Sequence, residues 1–287
     1  MRQKQCCFLF CFMVVAGALG GVDPSLASEK VTATVVVADV MGFPGKPMKL
    51  EARVMQKGLL QDVGLGGEVL EFFVHRKRIG TAMTGGDGRA FLEYVPRMRG
   101  NFVSAVRLQD SPRVSDAEGT GVVASWERRK PILLIDLHAT MAQQANPDSG
   151  LPSLPGIFGM TTLEPPVPEA ANELEKLGKY YYNLVYVVQS QTVSLQQVRE
   201  WLRAHEFPLG IPKVLKPGRK DLEGLLDLLA EQGWKNVSAG IGLTADFANV
   251  LVKRRLKTVI VGQRKKGDEF PRRTVFVKNW KKIRRPL

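Results

Sequence analysis

The chain has 287 residues, 44% hydrophobic and 24% charged, which is the balance of a globular protein long enough for two domains. That composition excludes a disordered chain. A formal net charge of +13 favours anionic partners. All three cysteines, Cys6, Cys7 and Cys11, lie in the first 11 residues, so the rest of the chain has no disulfide, thiolate nucleophile or cysteine metal site.

Those first residues form the earliest predicted element. A basic start, MRQKQ, precedes an almost wholly apolar or small run from Cys6 to Gly21, and Ser25-Leu26-Ala27 is a small-x-small cleavage site. This three-part pattern predicts a signal peptide over residues 1–27 and a periplasmic or secreted protein. The alternative is an N-terminal membrane anchor, although the apolar run is short for a span of about 20 residues. No cysteine sits in a lipobox. Export and the lack of a recognisable reader motif exclude a nucleic-acid partner.

Residues 30–128 read as all-β. VTATVVVADV and PMKLEARVM alternate apolar and polar side chains, three strand-like runs follow in EVLEFFVHRKRIGTAMTGGDGRAFLEYV, and GNFVSAVRL and GTGVVASW close the segment. Seven short strands with turn signals such as Gly85-Gly86-Asp87-Gly88 predict a β-sandwich. His75, in the basic turn VHRKRIG, reads as exposed. The runs G-x-x-L-x-F-x-V, IGTAMTGGDGRAFLEYVP and GNFVSAVRL resemble bacterial immunoglobulin-like modules, which implies a fold and no chemistry.

Residues 130–287 alternate strands and helices. PILLID, NLVYVVQS, VSAGIGL and KTVIVG read as buried strands. EPPVPEAANELEKLGKYYY, SLQQVREWLRAHEF, RKDLEGLLDLLAEQG and ADFANVLVKRRL read as helices, with Ser194 starting the second and Gly233 closing the third. The succession predicts an α/β Rossmann-like three-layer domain with a mostly parallel sheet. Ligands of such sheets bind at the carboxyl ends of the strands, which directs attention to Asp136, to Gln189-Ser190 and to Thr244–Asp246. The long Pro-, Gly- and Ser-rich segment from Met141 to Pro168 follows directly on Asp136. It reads equally as a cover for that site or as a disordered insertion.

The segments ILLIDLHAT, VPEAANELEKL, YNLVYVVQSQ, VREWLRAHEFPLGIPKVL and GIGLTADFANVL together resemble the haloacid dehalogenase-like (HAD-like) superfamily, nearest its lipin-type phosphatidate phosphatase branch. The resemblance implies an aspartyl-phosphate mechanism with Mg²⁺ as cofactor. It places Asp136 as the nucleophile, Thr140 on the motif threonine, Lys220 (with Lys216 as the other choice) on the phosphate-binding lysine, and Asp136 and Asp246 on the metal. His138 stands where the family has its acid/base aspartate, and imidazole can carry that proton. Val188 replaces the phosphate-binding hydroxyl, with Ser190 displaced by about 6–7 Å. Leu243 replaces a metal-side Asp or Asn.

The last segment, Lys253 to Leu287, carries 14 Lys or Arg against Asp268 and Glu269, a basic face suited to phosphorylated ligands, acidic lipid headgroups or a membrane surface. It also reads as a merely solvated surface. The sequence therefore leads to an exported phosphatase-like module, weakened or inactive, that binds a phosphorylated small molecule or an anionic lipid. An active Mg²⁺-dependent phosphohydrolase is one alternative. A structural or adhesive envelope protein acting through its immunoglobulin-like domain is the other.

Overall fold

The computed structural model describes residues 30–58, 61–142, 163–264 and 269–287. The signal-peptide reading and most of the Met141–Pro168 segment lie outside those residues.

The amino-terminal part is an immunoglobulin-like-type all-β sandwich. Its strands are β1 (Ala33–Val37), β2 (Val40–Gly42), β3 (Met48–Gln56), β4 (Val63–Gly64), β5 (Val69–Val74), β6 (Lys77–Met83), β7 (Arg89–Tyr94), β8 (Gly100–Leu108) and β9 (Glu118–Ser125). One sheet joins β1, β3, β4 and β7, and the other runs β2-β9-β8-β5-β6. The first predicted strand, VTATVVVADV, is in fact two. The chain leaves the first sheet after Val37, passes Ala38-Asp39, and enters the second as β2, parallel to β9. Period-two burial fixes the register: Met48, Leu50, Ala52 and Val54 of β3 face Leu70, Phe72 and Val74 of β5 and Val106 of β8 across one core. Each large side chain buried there is worth about 1.5–3 kcal/mol. The β5–β6 hairpin turns on His75 (φ 51°) and Arg76 (φ 62°), both in the left-handed region, as a two-residue turn of this hand requires.

The carboxy-terminal part is a six-stranded parallel sheet made of β10 (Ile132–Asp136), β11 (Asn183–Gln189), β12 (Ile211–Leu215), β13 (Val237–Gly242), β14 (Lys257–Val261) and β15 (Thr274–Val277). Its order is β12-β11-β10-β13-β14-β15, the order of doubly wound sheets. Four of these strands are those predicted. The two edge strands, β12 and β15, go unnoticed in the sequence because each is short and polar-flanked. Pro212 fits β12 because an edge tolerates a missing N–H.

Helices α1 (Ala170–Tyr180) and α2 (Leu195–Ala204) cover one face, and α3 (Arg219–Glu231) and α4 (Ala245–Lys253) the other. α2 starts with a full capping box between Ser194 and Gln197. α3 ends where Gly233 takes φ 89° and the Trp234 N–H reaches the Leu229 carbonyl. α4 lies close on β13: a Cβ at Gly242 would fall 2.2 Å from Phe247. The glycines of GIGL therefore serve packing.

The two parts share a core and a buried ion pair. Val122, Ala124 and Trp126 from the end of the sandwich join Ile132, Leu134, Leu229 and Trp234 in one cluster. Arg199 of α2 reaches into the sandwich, where it donates to the Val37 and Thr120 carbonyls, both at 2.9 Å, and pairs with Asp39 at 2.7 Å. The side chains of Arg199 and Asp39 are only 11% and 2% exposed.

Two stability predictions follow from this packing. Arg199→Met leaves a buried Asp39 without its cation, and urea unfolding should show a loss of about 3–5 kcal/mol. Replacing His75-Arg76 by Asn-Gly relieves two left-handed side-chain positions, and the same titration should show a gain of about 1 kcal/mol.

Candidate functional site

Asp136 ends β10, beside the point between β10 and β13 where the strand order reverses. Doubly wound sheets bind ligands at that place. The residues after it form a 3₁₀ turn, Leu137–Thr140, with Asp136 as its N-cap. Asp136 Oδ1 accepts from the His138 backbone N–H at 3.1 Å and lies 2.9 Å from His138 Nδ1. Leu137 and Ala139 point into the core, and Trp280 Nε1 donates to the Ala139 carbonyl at 3.0 Å. The C-terminal segment thus pins the turn.

Among the described residues, none of the others singled out in the sequence, His138 apart, forms a hydrogen bond or ion pair with Asp136. Thr140 is fully buried and its hydroxyl donates to the Leu137 carbonyl at 2.7 Å, closing the turn. Val188 is fully buried and packs in the α1/α2 core, with Leu243 partly buried against the same cluster. Ser190 Oγ accepts from the N–H groups of Thr192 and Val193, shaping the bend after β11. Lys216 and Lys220 are exposed, Lys220 in the first turn of α3. Asp246 is exposed in the first turn of α4 and pairs with Arg219 Nε at 2.6 Å.

As a Mg²⁺ site this donor set does not fit. Asp136 is engaged by His138 and Asp246 by Arg219. Among the described residues no three His, Cys, Asp or Glu side chains are grouped to hold a metal, whereas Mg²⁺ wants octahedral oxygen ligands.

The Asp136–His138 pair has its own chemistry. Burial works against a charge on His138, but the hydrogen bond and the negative charge of Asp136 outweigh it and raise the imidazole above its ordinary 6.5. The pair holds a proton and locks the turn.

Three residues that sequence reasoning missed matter here. Arg219 precedes Lys220 in PGRKDL and takes the acid expected to hold metal. Asp39 and Lys213 line a cavity between the two parts of the chain, well apart in sequence. No local pattern signals either.

No known protein family matches the chain, and no curated protein matches it. Among solved structures, a CARDB domain from Pyrococcus furiosus is similar over 36% of this chain and 99% of its own, at 14% identity and TM-score 0.26. A human PKD domain is similar over 38% of this chain and 91% of its own, at 18% identity and TM-score 0.22. A sialyltransferase from Photobacterium damsela spans 81% of this chain and 42% of its own, at 10% identity and TM-score 0.23.

The His138 shift sets a pH dependence. A raised pKa in the fold gives stability that is full below 6.5 and is lost as pH rises through the raised value. Urea titrations should therefore show wild type ahead of His138→Gln by most just below 6.5, above the carboxylate range, with the gap closing at alkaline pH. A gap that widened with pH would contradict this sign.

Proposed function

We propose that the chain is an exported two-domain protein that binds acidic lipid headgroups, and that its carboxy-terminal domain is a HAD-like fold without turnover. The doubly wound strand order and an aspartate at the end of the first strand support the HAD-like part. The partners of these side chains support the lack of turnover: among the described residues no side-chain hydroxyl, lysine or second carboxylate bonds to Asp136, and losing such groups at a charged site removes the stabilisation that phosphoryl transfer depends on.

The observation that carries the binding reading is the edge of the sheet at β15. Arg272, Arg273, Lys278 and Lys282 are exposed there, with no acidic partner among the described residues. Their neighbours Lys281 and Arg284 are paired, with Glu169 and Glu173 respectively. Beside these cations, Phe270 and Phe276 stack edge to face at 5.0 Å and Val275 is 45% exposed. Cations next to aromatic and aliphatic groups suit a bilayer surface better than a free phosphate ester.

The test is co-sedimentation with phosphatidylserine vesicles. Each cation near an anionic bilayer is worth about 1 kcal/mol, so neutralising all four to Gln should weaken binding by about 10²–10³-fold. Wild-type binding should also fall as salt rises. Equal binding to phosphatidylcholine vesicles, or no loss in the variant, would sink the reading. A phosphoester panel with Mg²⁺ present should release no phosphate. Release that Asp136→Asn abolishes would restore the alternative, an active phosphohydrolase.

A further inference from the structure

Two sheet edges meet at the junction of the domains, and a cavity lies between them that neither the β15 edge nor the Asp136 turn explains. Its volume is about 370 Å³, within the usual range for small-molecule pockets. Val40 and Met41 line it from β2, an edge strand of the sandwich, and Lys213 from β12, an edge strand of the parallel sheet. Asp39, Phe43, Gln232 and Trp234 complete the lining.

Lys213 is the cation of this lining. Along β12, Ile211 and Leu215 pack in the cluster that holds Trp234, and Val214 packs in the α1/α2 core on the other face. Side chains alternate across a strand, so Lys213 leaves the sheet on the Trp234 side, toward the cavity. It is half-buried, and its ammonium makes no hydrogen bond or ion pair among the described residues. A half-buried ammonium without an acceptor is costly, which makes it an open position for an anion. The neighbouring charges do not fill that position. Asp39 is partly exposed as a residue but its side chain only 2%, so it borders the cavity through its backbone. Its carboxylate is turned inward, where it accepts from Arg199 at 2.7 Å and from the Val122 N–H at 2.8 Å. Burial depresses the Lys213 pKa, the Asp39 charge offsets part of that, and Arg199 adds to it. Asp39 and Arg199 cancel each other, so Lys213 leaves one uncompensated positive charge.

The wall opposite is apolar. Val40, Met41 and Phe43 are each partly exposed, and the buried Trp234 backs the Phe43 ring at 4.4 Å. Met41 adds a flexible thioether that adapts to the shape of an occupant. Gln232 is exposed and uncharged. A phosphate dianion asks for a second cation, which this lining lacks. A single ammonium, a compact point charge, suits a monoanion, and the wall suits a compact hydrocarbon body. We propose that the interdomain cavity binds a small apolar carboxylate, of the chemistry of an arylalkanoate, with its carboxylate on Lys213 and its hydrocarbon part against Val40, Met41 and Phe43. Because both domains supply contacts, occupancy also ties them together.

Isothermal titration of the full chain with three probes tests this. 3-Phenylpropanoate has both parts, 3-phenylpropan-1-ol lacks the charge, and acetate lacks the apolar body. 3-Phenylpropanoate should bind and raise the melting temperature. The alcohol should bind about ten- to a hundredfold more weakly, the worth of one charge-assisted hydrogen bond. Acetate should bind about tenfold more weakly or worse, because it buries little apolar surface. Lys213→Met should weaken 3-phenylpropanoate by the same factor as loss of the charge and leave the alcohol unchanged. Lys235→Met, a charge change next to Trp234 outside the cavity lining, should change nothing. A carboxylate set beside an amine raises the pKa of that amine. At alkaline pH, where Lys213 has shed part of its charge, binding should therefore take up protons in wild type and none in Lys213→Met. Proton uptake is read as heat that differs between buffers of different ionisation enthalpy. Removing a half-buried charge favours folding, so Lys213→Met should melt no lower than wild type. The proposal is overturned if 3-phenylpropanoate fails to bind, if the alcohol or acetate equals it, if wild type takes up no protons, or if Lys213→Met binds like wild type. The wild-type probe series decides the matter even if that variant is unstable.

Discussion

The buried guanidinium of Arg199 is the constraint on which the arrangement of the two domains depends. It leaves α2 for the end of the sandwich, where it meets two backbone carbonyls and Asp39. Taking such a pair out of water costs several kcal/mol, and only complete geometry repays it. Burial raises Asp39 above the ordinary carboxylate pKa, with the Arg199 charge and hydrogen bond pulling it back down. The pair is therefore better at specifying geometry than at adding stability. The adhesion comes from Val122, Ala124 and Trp126, which complete an apolar cluster that the α/β sheet starts.

The same economy of charge explains the turn at Asp136. A strand-end carboxylate at the reversal of a parallel sheet is placed for catalysis, yet this one spends Oδ1 on the backbone and ring of the residue two positions on. Thr140 turns its hydroxyl back on the turn, and Trp280 clamps the turn from the C-terminal segment. Arg219 and Asp246 neutralise each other between the starts of α3 and α4. Asp136, Thr140, Ser190 and Asp246 each have an internal partner instead.

Arg272, Arg273, Lys278 and Lys282 lie exposed at the β15 edge. An exposed parallel edge invites pairing with another chain, and a row of Lys and Arg discourages that. The same cations, set beside Phe270 and Phe276, are those on which the proposed binding to an anionic surface rests. On that proposal one stretch of sequence meets a folding requirement and offers a binding face.

The sequence by itself determined much of this protein. The period-two runs gave the sandwich, with the break at Ala38-Asp39 and the short strand β4 hidden, and the strand–helix alternation gave a parallel sheet with helices on both faces, whose strand order only the structure shows. Ser194 and Gly233 marked helix ends where they fall, because capping and left-handed turns are decided by a few neighbouring residues. Hydrophobic periodicity is local in the same way. The tertiary structure alone decided what each charged side chain meets. Asp246 meets Arg219, Asp136 meets His138, and Asp39 lies between Arg199 and the cavity holding Lys213. Those partners come together only when distant segments pack, and no spacing along the chain encodes the distance between them.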